Sequence, residues 1–353
     1  MVLYDPELAL GFPDYGIRIP VLDSRADRIV SALLAIPGLS ERKWLRRGIS
    51  ERMTRQDAER VHDSGFVARL FGGGKSLEAE LLKTYELVDP DGKPHRYEPE
   101  TAIRPLTDLF GTILAQVAGT YEAGLMALDT GFCFFLGGGM HHARRDSGSG
   151  FCPLNDSMIA VARLRAERRV HTVWIIDVDA HKGDGTAEIA LDDPDTLTLS
   201  IHMAAGWPLD PASIETALRG SHTTIDSSGK IGVGLDPLRH APLAPSDVDI
   251  PIARGEDSLY LEKLAEGLDR LEALSSGRQP NLAIVVDGAD PYVHDGLESS
   301  ADLALSLDQC VERDELVLGF LRTRNIPSAW IMSGGYGDRA WEPPAAFLGK
   351  VLG

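Results

Sequence analysis

The sequence is poor in cysteine, in basic charge and in long apolar runs. Its three cysteines, Cys133, Cys152 and Cys310, stand far apart and form no CxxC pair, a pattern that suits a reducing cytoplasm rather than a disulfide framework. Each is expected to serve as a small buried hydrophobe. Lys and Arg number 35 against 53 Asp and Glu, a formal net charge of −18, which argues against a phosphate-reading surface and so against a nucleic-acid partner. The acidic excess is compatible with cationic substrates. The longest apolar runs, such as Thr172–Ile176 and Leu282–Val286, fall far short of the roughly 20 residues a membrane helix needs. Met1 to Phe12 has no basic stretch followed by an apolar core, so no signal peptide is expected. Internal repeats and low-complexity tracts are absent too.

What is present is regular from Pro105 onward. Apolar residues from Leu106 to Leu128 recur at helical spacing and predict one long amphipathic helix. Strands are expected at Cys133–Leu136, Thr172–Val178, Thr196–Ile201, Asp247–Ile252, Leu282–Asp287 and Ser328–Met332, with helices at Ser157–Arg168, Thr186–Leu191, Asp257–Leu274 and Asp302–Arg322. Continuous apolar strands alternating with helices imply crossover connections and a mostly parallel sheet covered on both faces. The fold class is therefore α/β, one domain over residues 1–353, with the functional site at the carboxyl ends of the strands. Residues 101–353 are expected to form the core with a metal site, and residues 1–100 a helical and loop part forming its rim. Within that part, Ser40 to Leu70 reads as a basic helix with a solvated face, and Val88 to Glu100 as a surface loop.

Four strand ends carry chemistry. Gly137-Gly138-Gly139-Met140-His141-His142 follows the first of the predicted strands, Asp177-Val178-Asp179-Ala180-His181-Lys182-Gly183-Asp184-Gly185 the second, Asp287-Gly288-Ala289-Asp290 the fifth and Ser333-Gly334-Gly335-Tyr336-Gly337 the last. Asp177, Asp179 and His181 alternate, so an extended chain points them to one side. Carboxylates with an imidazole suit a divalent transition metal, Zn²⁺ by default, with Asp290 supplied from the neighbouring strand end. Beside a metal, His141 and His142 suit general base and acid. Asp177 and Asp184 are candidates to orient them. The glycines before the histidines would let backbone approach a ligand closely. Tyr336, set among glycines, can aim its hydroxyl at a developing oxyanion.

In order and spacing, GGGMHHA (137–143), GFCPLND (150–156), DVDAHKGDG (177–185), SIH (200–202), DGADPYVHDGL (287–297) and SGGYG (333–337) resemble the histone deacetylase superfamily, which includes bacterial acetylpolyamine amidohydrolases and acetoin-utilisation-type deacetylases. The resemblance runs from about His62 to Tyr336, whereas the first hundred residues match only loosely. It implies an arginase/deacetylase-like fold and Zn²⁺ held by Asp179, His181 and Asp290, a donor set that Fe²⁺ or Co²⁺ also suits. It implies His142 as general acid/base with His141 as its partner, Asp177 behind His141, Asp184 behind His142, and Tyr336 on the amide carbonyl. Phe151 and Trp207 would wall an acyl-lysine tunnel, the Gly150 carbonyl would receive the substrate amide N–H, and Asp177 with Ser200 would mark a structural K⁺ site.

The implied reaction is metal-assisted hydrolysis of an acylated lysine, in a peptide or protein, or of an acylated polyamine or other small amine. Cytoplasmic location, no membrane partner and a possible homo-oligomer complete the expectation. A non-catalytic acyl-amine-binding protein is the alternative of a different class. The binuclear arginase-type arrangement is excluded, because Gly183 and Gly288 stand where a second ion would need carboxylates. Three departures stand out: Lys182 replaces a neutral His or Gln, Ser333 a glycine, and Trp207 a smaller Phe.

Overall fold

The computed structural model describes residues 1–89, 93–210, 224–225, 231–232 and 244–353. Eight strands form one sheet: β1 (Val2–Tyr4), β2 (Leu45–Arg47), β3 (Phe132–Phe135), β4 (Val173–Asp177), β5 (Thr196–Met203), β6 (Val248–Ile252), β7 (Leu282–Asp287) and β8 (Ser328–Met332). Their order is β2-β1-β3-β8-β7-β4-β5-β6, and every neighbouring pair is parallel. A parallel pair needs a crossover, and helices supply it.

Alternate strand residues feed two separate apolar layers. Val173, Ile175, Leu282, Ile284 and Val286 pack on one face against helices Leu109–Thr130 and Asp156–Ala166. Trp174, Ile176, Ala283 and Val285 pack on the other against Tyr260–Leu274 and Leu307–Thr323. Burial on both faces explains why the central strands read as unbroken apolar runs.

Where the boundaries differ from expectation, local chemistry accounts for it. The Ser306 and Gln309 side chains form a capping box that starts the helix at Leu307 rather than Asp302. Short 3₁₀ turns at Leu106–Asp108 and Asp257–Leu259 precede the helices that begin at Leu109 and Tyr260.

Residues 40–70 are not one helix. Single turns at Glu41–Trp44 and Arg55–Ala58 and a helix at Ser64–Phe71 are separated by β2 and by a loop. The loop is tied to the long helix: the Glu122 carboxylate accepts from Ser50 N (2.7 Å), Ser50 Oγ (3.1 Å) and Glu51 N (3.0 Å). Tertiary bonds here override local helical preference. The first hundred residues thus send two strands, β1 and β2, into the sheet in addition to helices and loops.

Candidate active site

Register brings four strand ends level. Asp177 closes β4, Asp287 closes β7 opposite Met332 of β8, and β3 ends at Phe135 beside Ile331. The loops leaving these ends converge on a cavity of about 1130 Å³ lined by His141, His142, Asp179, His181 and Tyr336. A second cavity of about 500 Å³ is the mouth, walled by Gly150, Phe151, Trp207 and Leu297, and it shares His142, His181 and Tyr336 with the first.

At the base, one ligand atom each from Asp179, His181 and Asp290 lie within 4.8 Å of one another, and all three side chains are buried. His181 Nδ1 faces both carboxylates, 2.9 Å from Asp290 Oδ2 and 3.3 Å from Asp179 Oδ1. Backbone N–H groups hold the other oxygens: Ala180 N donates to Asp290 Oδ1 at 3.0 Å and Gly334 N to Asp179 Oδ2 at 2.9 Å. A Cβ on Gly288 would lie 2.5 Å from Asp179 Oδ2 and 2.6 Å from Asp290 Oδ1, and a Cβ on Gly334 would crowd both carboxylates at 2.5 Å. Glycine at both positions leaves room for the carboxylate pair.

The pair resists carrying two negative charges. Burial, then the Asp179 charge, pushes Asp290 up to about 7. Burial acts on Asp179 the same way, but His141 and the hydrogen bond from His181 keep it well below the usual carboxylate range. Burial would lower His181, yet its bonds to both carboxylates raise it to about 10. Two buried carboxylates and an imidazole aimed at one point are a donor set a divalent cation fits and relieves.

Asp177 stands apart from this trio. Its Oδ2 lies 2.7 Å from His141 Nδ1 and its Oδ1 accepts from Asp179 N at 3.1 Å. The strand ends at Asp177, so the alternation expected of an extended chain stops there. The Asp184 carboxylate bridges two partners, His142 Nδ1 at 2.7 Å and Arg144 Nη2 at 2.6 Å.

The neighbouring imidazoles, 3.9 Å apart at their centroids, have opposite electrostatics. Burial would lower His141, but Asp177, Asp179 and Asp290 outweigh it and hold it up at about 9. His142 is lowered by burial, then by the charges of His141 and His181, to about 4 despite Asp184. With Nδ1 of each taken by a carboxylate, Nε2 is the nitrogen left for substrate chemistry. Burial, reinforced by Asp290 and Asp179, drives the Tyr336 phenol well up, so it remains a donor. Its backbone N donates to Asp295 Oδ2 at 2.7 Å.

The remaining expected residues fall as follows. Gly150 carries φ +53°, and a Cβ there would lie 2.2 Å from Trp207 Cη2 and 2.7 Å from His142 Cδ2. Its carbonyl accepts from Cys152 Sγ at 3.3 Å. The Phe151 ring stands edge-on to Tyr336 at 6.3 Å, and Trp207 edge-on to His142 at 4.4 Å. Ser200 lies opposite Asp177 in the sheet register, its Oγ accepting from Gly183 N at 3.4 Å. Lys182 turns inward but lines neither cavity: its Nζ lies 2.5 Å from Asp249 Oδ1. Ser333 Oγ donates to the Gly139 carbonyl at 2.9 Å. The glycine run 137–139 is crowded by protein neighbours, the Phe135 ring, Asp156 and Ser333, which supplies a packing reason for it alongside its place on the cavity wall.

Sequence reasoning missed several supports. Arg313, fully buried, donates to Asp287 Oδ1 (2.6 Å), Asp314 Oδ1 (2.7 Å) and the carbonyls of Val178 (3.0 Å) and Gly288 (2.8 Å), tying two site loops together from below. Asp295, Arg144 and the cap residue Asn155, whose Nδ2 donates to the Ala143 carbonyl at 3.2 Å, were likewise unmarked. Asn155 and Asp295 lie within the motifs at 150–156 and 287–297, the only available signal for them. Glu86 and Arg96 at the mouth had none.

Known proteins resemble this chain over much of its length. Acetoin utilization protein AcuC of Bacillus subtilis is 31% identical over 287 residues, covering 80% of this chain and 64% of that protein. Histone deacetylase 2 of Arabidopsis thaliana is 30% identical over 221 residues, 63% of this chain and 48% of that protein. The acetylpolyamine amidohydrolase of Burkholderia pseudomallei is 29% identical over 211 residues, 59% and 52% respectively. The chain thus spans about half to just under two thirds of these relatives' length. The histone deacetylase domain model matches residues 20–347, and the chain belongs to the histone deacetylase family.

Proposed function

We propose that this chain is a zinc-dependent amidohydrolase that removes acetyl or other short acyl groups from N-acyl-lysine or related acylated amines. The observation that carries the reading is the buried trio Asp179, His181 and Asp290, of which Asp179 and His181 line a cavity together with His141, His142 and Tyr336. Relatives named as a histone deacetylase and an acetylpolyamine amidohydrolase support an acylated amine as substrate. Asp179, His181 and Asp290 would hold the ion, and Fe²⁺ or Co²⁺ suits the same donors. The chemistry such an ion supplies when bound is Lewis acidity, which lowers the pKa of water toward about 7 and polarises a carbonyl.

The chain's own groups do the rest. His142, neutral at working pH with Nδ1 engaged by Asp184, takes a proton from the attacking water at Nε2. Tyr336, kept protonated by burial, donates to the carbonyl oxygen as negative charge develops on it. His141, its Nδ1 engaged by Asp177, is the nearby group that passes a proton to the departing amine. Phe151 and Trp207 exclude water from a methylene chain, and the Gly150 carbonyl accepts the substrate amide N–H. Asp177 and Ser200 are proposed to hold K⁺, and a reducing cytoplasm suits three free buried cysteines.

Loading the protein with Zn²⁺ and following acetate release from an Nε-acetyl-lysine substrate tests the assignment. Turnover that chelation abolishes and Zn²⁺ restores is expected. A metal-loaded protein that binds acyl amines without turning any over would favour a binding protein instead.

A further inference from the structure

The mouth carries a feature the reaction does not require. Glu86 and Arg96 line it together with Phe151, Trp207 and Leu297. Arg96 Nη1 lies 3.1 Å from Glu86 Oε2, and its guanidinium carbon sits 5.6 Å from the Phe151 ring centroid. Both side chains are about two-fifths exposed, at 35% for Arg96 and 41% for Glu86, so a ligand can reach them.

Backbone conformation singles these residues out. Among the described residues six non-glycines have positive φ, and three of them line this mouth: Glu86 (53°), Arg96 (54°) and Phe151 (65°). At Glu86 the left-handed turn closes helix Gly74–Thr84, Glu86 N donating to the Lys83 carbonyl at 3.0 Å and Leu87 N to the Leu82 carbonyl at 2.8 Å. Exposed to this degree, the ion pair contributes little stability of its own. Hydrogen bonds nevertheless hold it: the Glu86 carbonyl lies 3.0 Å from His95 Nδ1, and the Arg96 carbonyl accepts from Arg18 N at 2.8 Å. An ion pair fixed through its backbone on the wall of one cavity, and open to solvent, is placed to meet a ligand.

Building on the deacylase reading, we propose that Glu86 and Arg96 select a substrate whose amine side ends in adjacent positive and negative charges: a free Nε-acyl-α-amino acid such as acyl-lysine, bound through its α-ammonium and α-carboxylate. A cation and an anion side by side match a zwitterion. The fork of Arg96 has five N–H donors, and its one contact with Glu86 leaves others for a carboxylate. A peptide backbone would offer these groups no charge, and a polyamine tail would meet Arg96 with repulsion.

The test compares Nε-acetyl-lysine, its Nα-acetyl carboxamide, which has neither charge, and N-acetylputrescine, with kcat and KM measured on the zinc-loaded protein and affinity measured by calorimetry. The free amino acid is expected to be preferred about tenfold or more in kcat/KM. Arg96→Gln and Glu86→Gln should each raise its KM about tenfold, with kcat and the neutral substrate's constants changing less than twofold. Equal or better use of the carboxamide or the acetylated diamine, or variants that affect all three alike, would overturn the proposal while leaving the deacylase reading intact. No turnover of any compound would overturn the deacylase reading, and calorimetry would still judge the mouth: equal affinities for all three compounds contradict it.

Discussion

The base and the mouth of the site are built differently. At the base, side chains project from the ends of four hydrogen-bonded strands, are almost wholly buried, and are each held by a second group: His141 by Asp177, His142 by Asp184, and the Asp287 and Asp290 loop by Arg313. At the mouth, Glu86, Arg96 and Phe151 come from a helix end and loops, remain partly exposed, and have left-handed backbone conformations. A base of this kind fixes the reaction, because catalytic geometry depends on groups that do not move. A mouth of this kind can vary without disturbing the sheet. Substitutions at the base should therefore damage chemistry or folding, and substitutions at the mouth should redistribute substrates.

The largest effect is expected at the trio proposed to hold the ion. Asp290→Asn should abolish stoichiometric metal binding, read by elemental analysis, and reduce turnover by at least about a thousandfold. His142→Ala should cost about 10²–10⁴-fold in kcat and Tyr336→Phe about 10²–10³-fold, with the circular dichroism spectrum unchanged. Wild-type rates from either variant would remove the role assigned to that residue.

Arg313→Met probes the base as a scaffold rather than as chemistry. Removing one partner from a buried charge network leaves Asp287 and Asp314 uncompensated and is expected to cost about 3–5 kcal/mol, measured by urea denaturation. A loss below about 1 kcal/mol would show that the network is dispensable. Gly150→Ala sharpens the contrast between base and mouth, since its methyl would displace Trp207 or His142; activity should fall much further than the melting temperature.

The acid limb of the rate profile is a finer test. His142 acts as a base only when neutral, and burial beside His141 and His181 lowers it to about 4. Rates should hold as pH falls from 7 and drop only near or below about pH 4. Asp184→Asn removes the anion that stabilises the cationic form, so the limb should move to lower pH while kcat declines. A limb near pH 6.5 would contradict the assignment.

The same division governs what was readable from the residues. Leu282–Asp287 and Ser328–Met332 coincide with observed strands, because burial on both faces writes an unbroken apolar run. The loop motifs after them were readable because parallel topology delivers strand ends to one place. Strands Val2–Tyr4 and Leu45–Arg47 were not readable: three residues carry no periodicity, and two of the three in the second are arginine. Lys182 pairing with Asp249 across 67 positions, and Arg313 reaching Asp287 across 26, depend on contacts no local pattern encodes. Glu86 closes a helix and Arg96 lies in a loop bonded to Arg18, and no motif marks either position.

The most direct measurement is acetate release from Nε-acetyl-lysine by protein first stripped of metal and then reloaded with one equivalent of Zn²⁺, set beside Asp290→Asn treated identically. Activity is expected to return with metal in the wild type and never in the variant. Equal turnover by stripped and reloaded protein, or by the variant, would contradict a metal held by Asp179, His181 and Asp290 at the centre of the reaction.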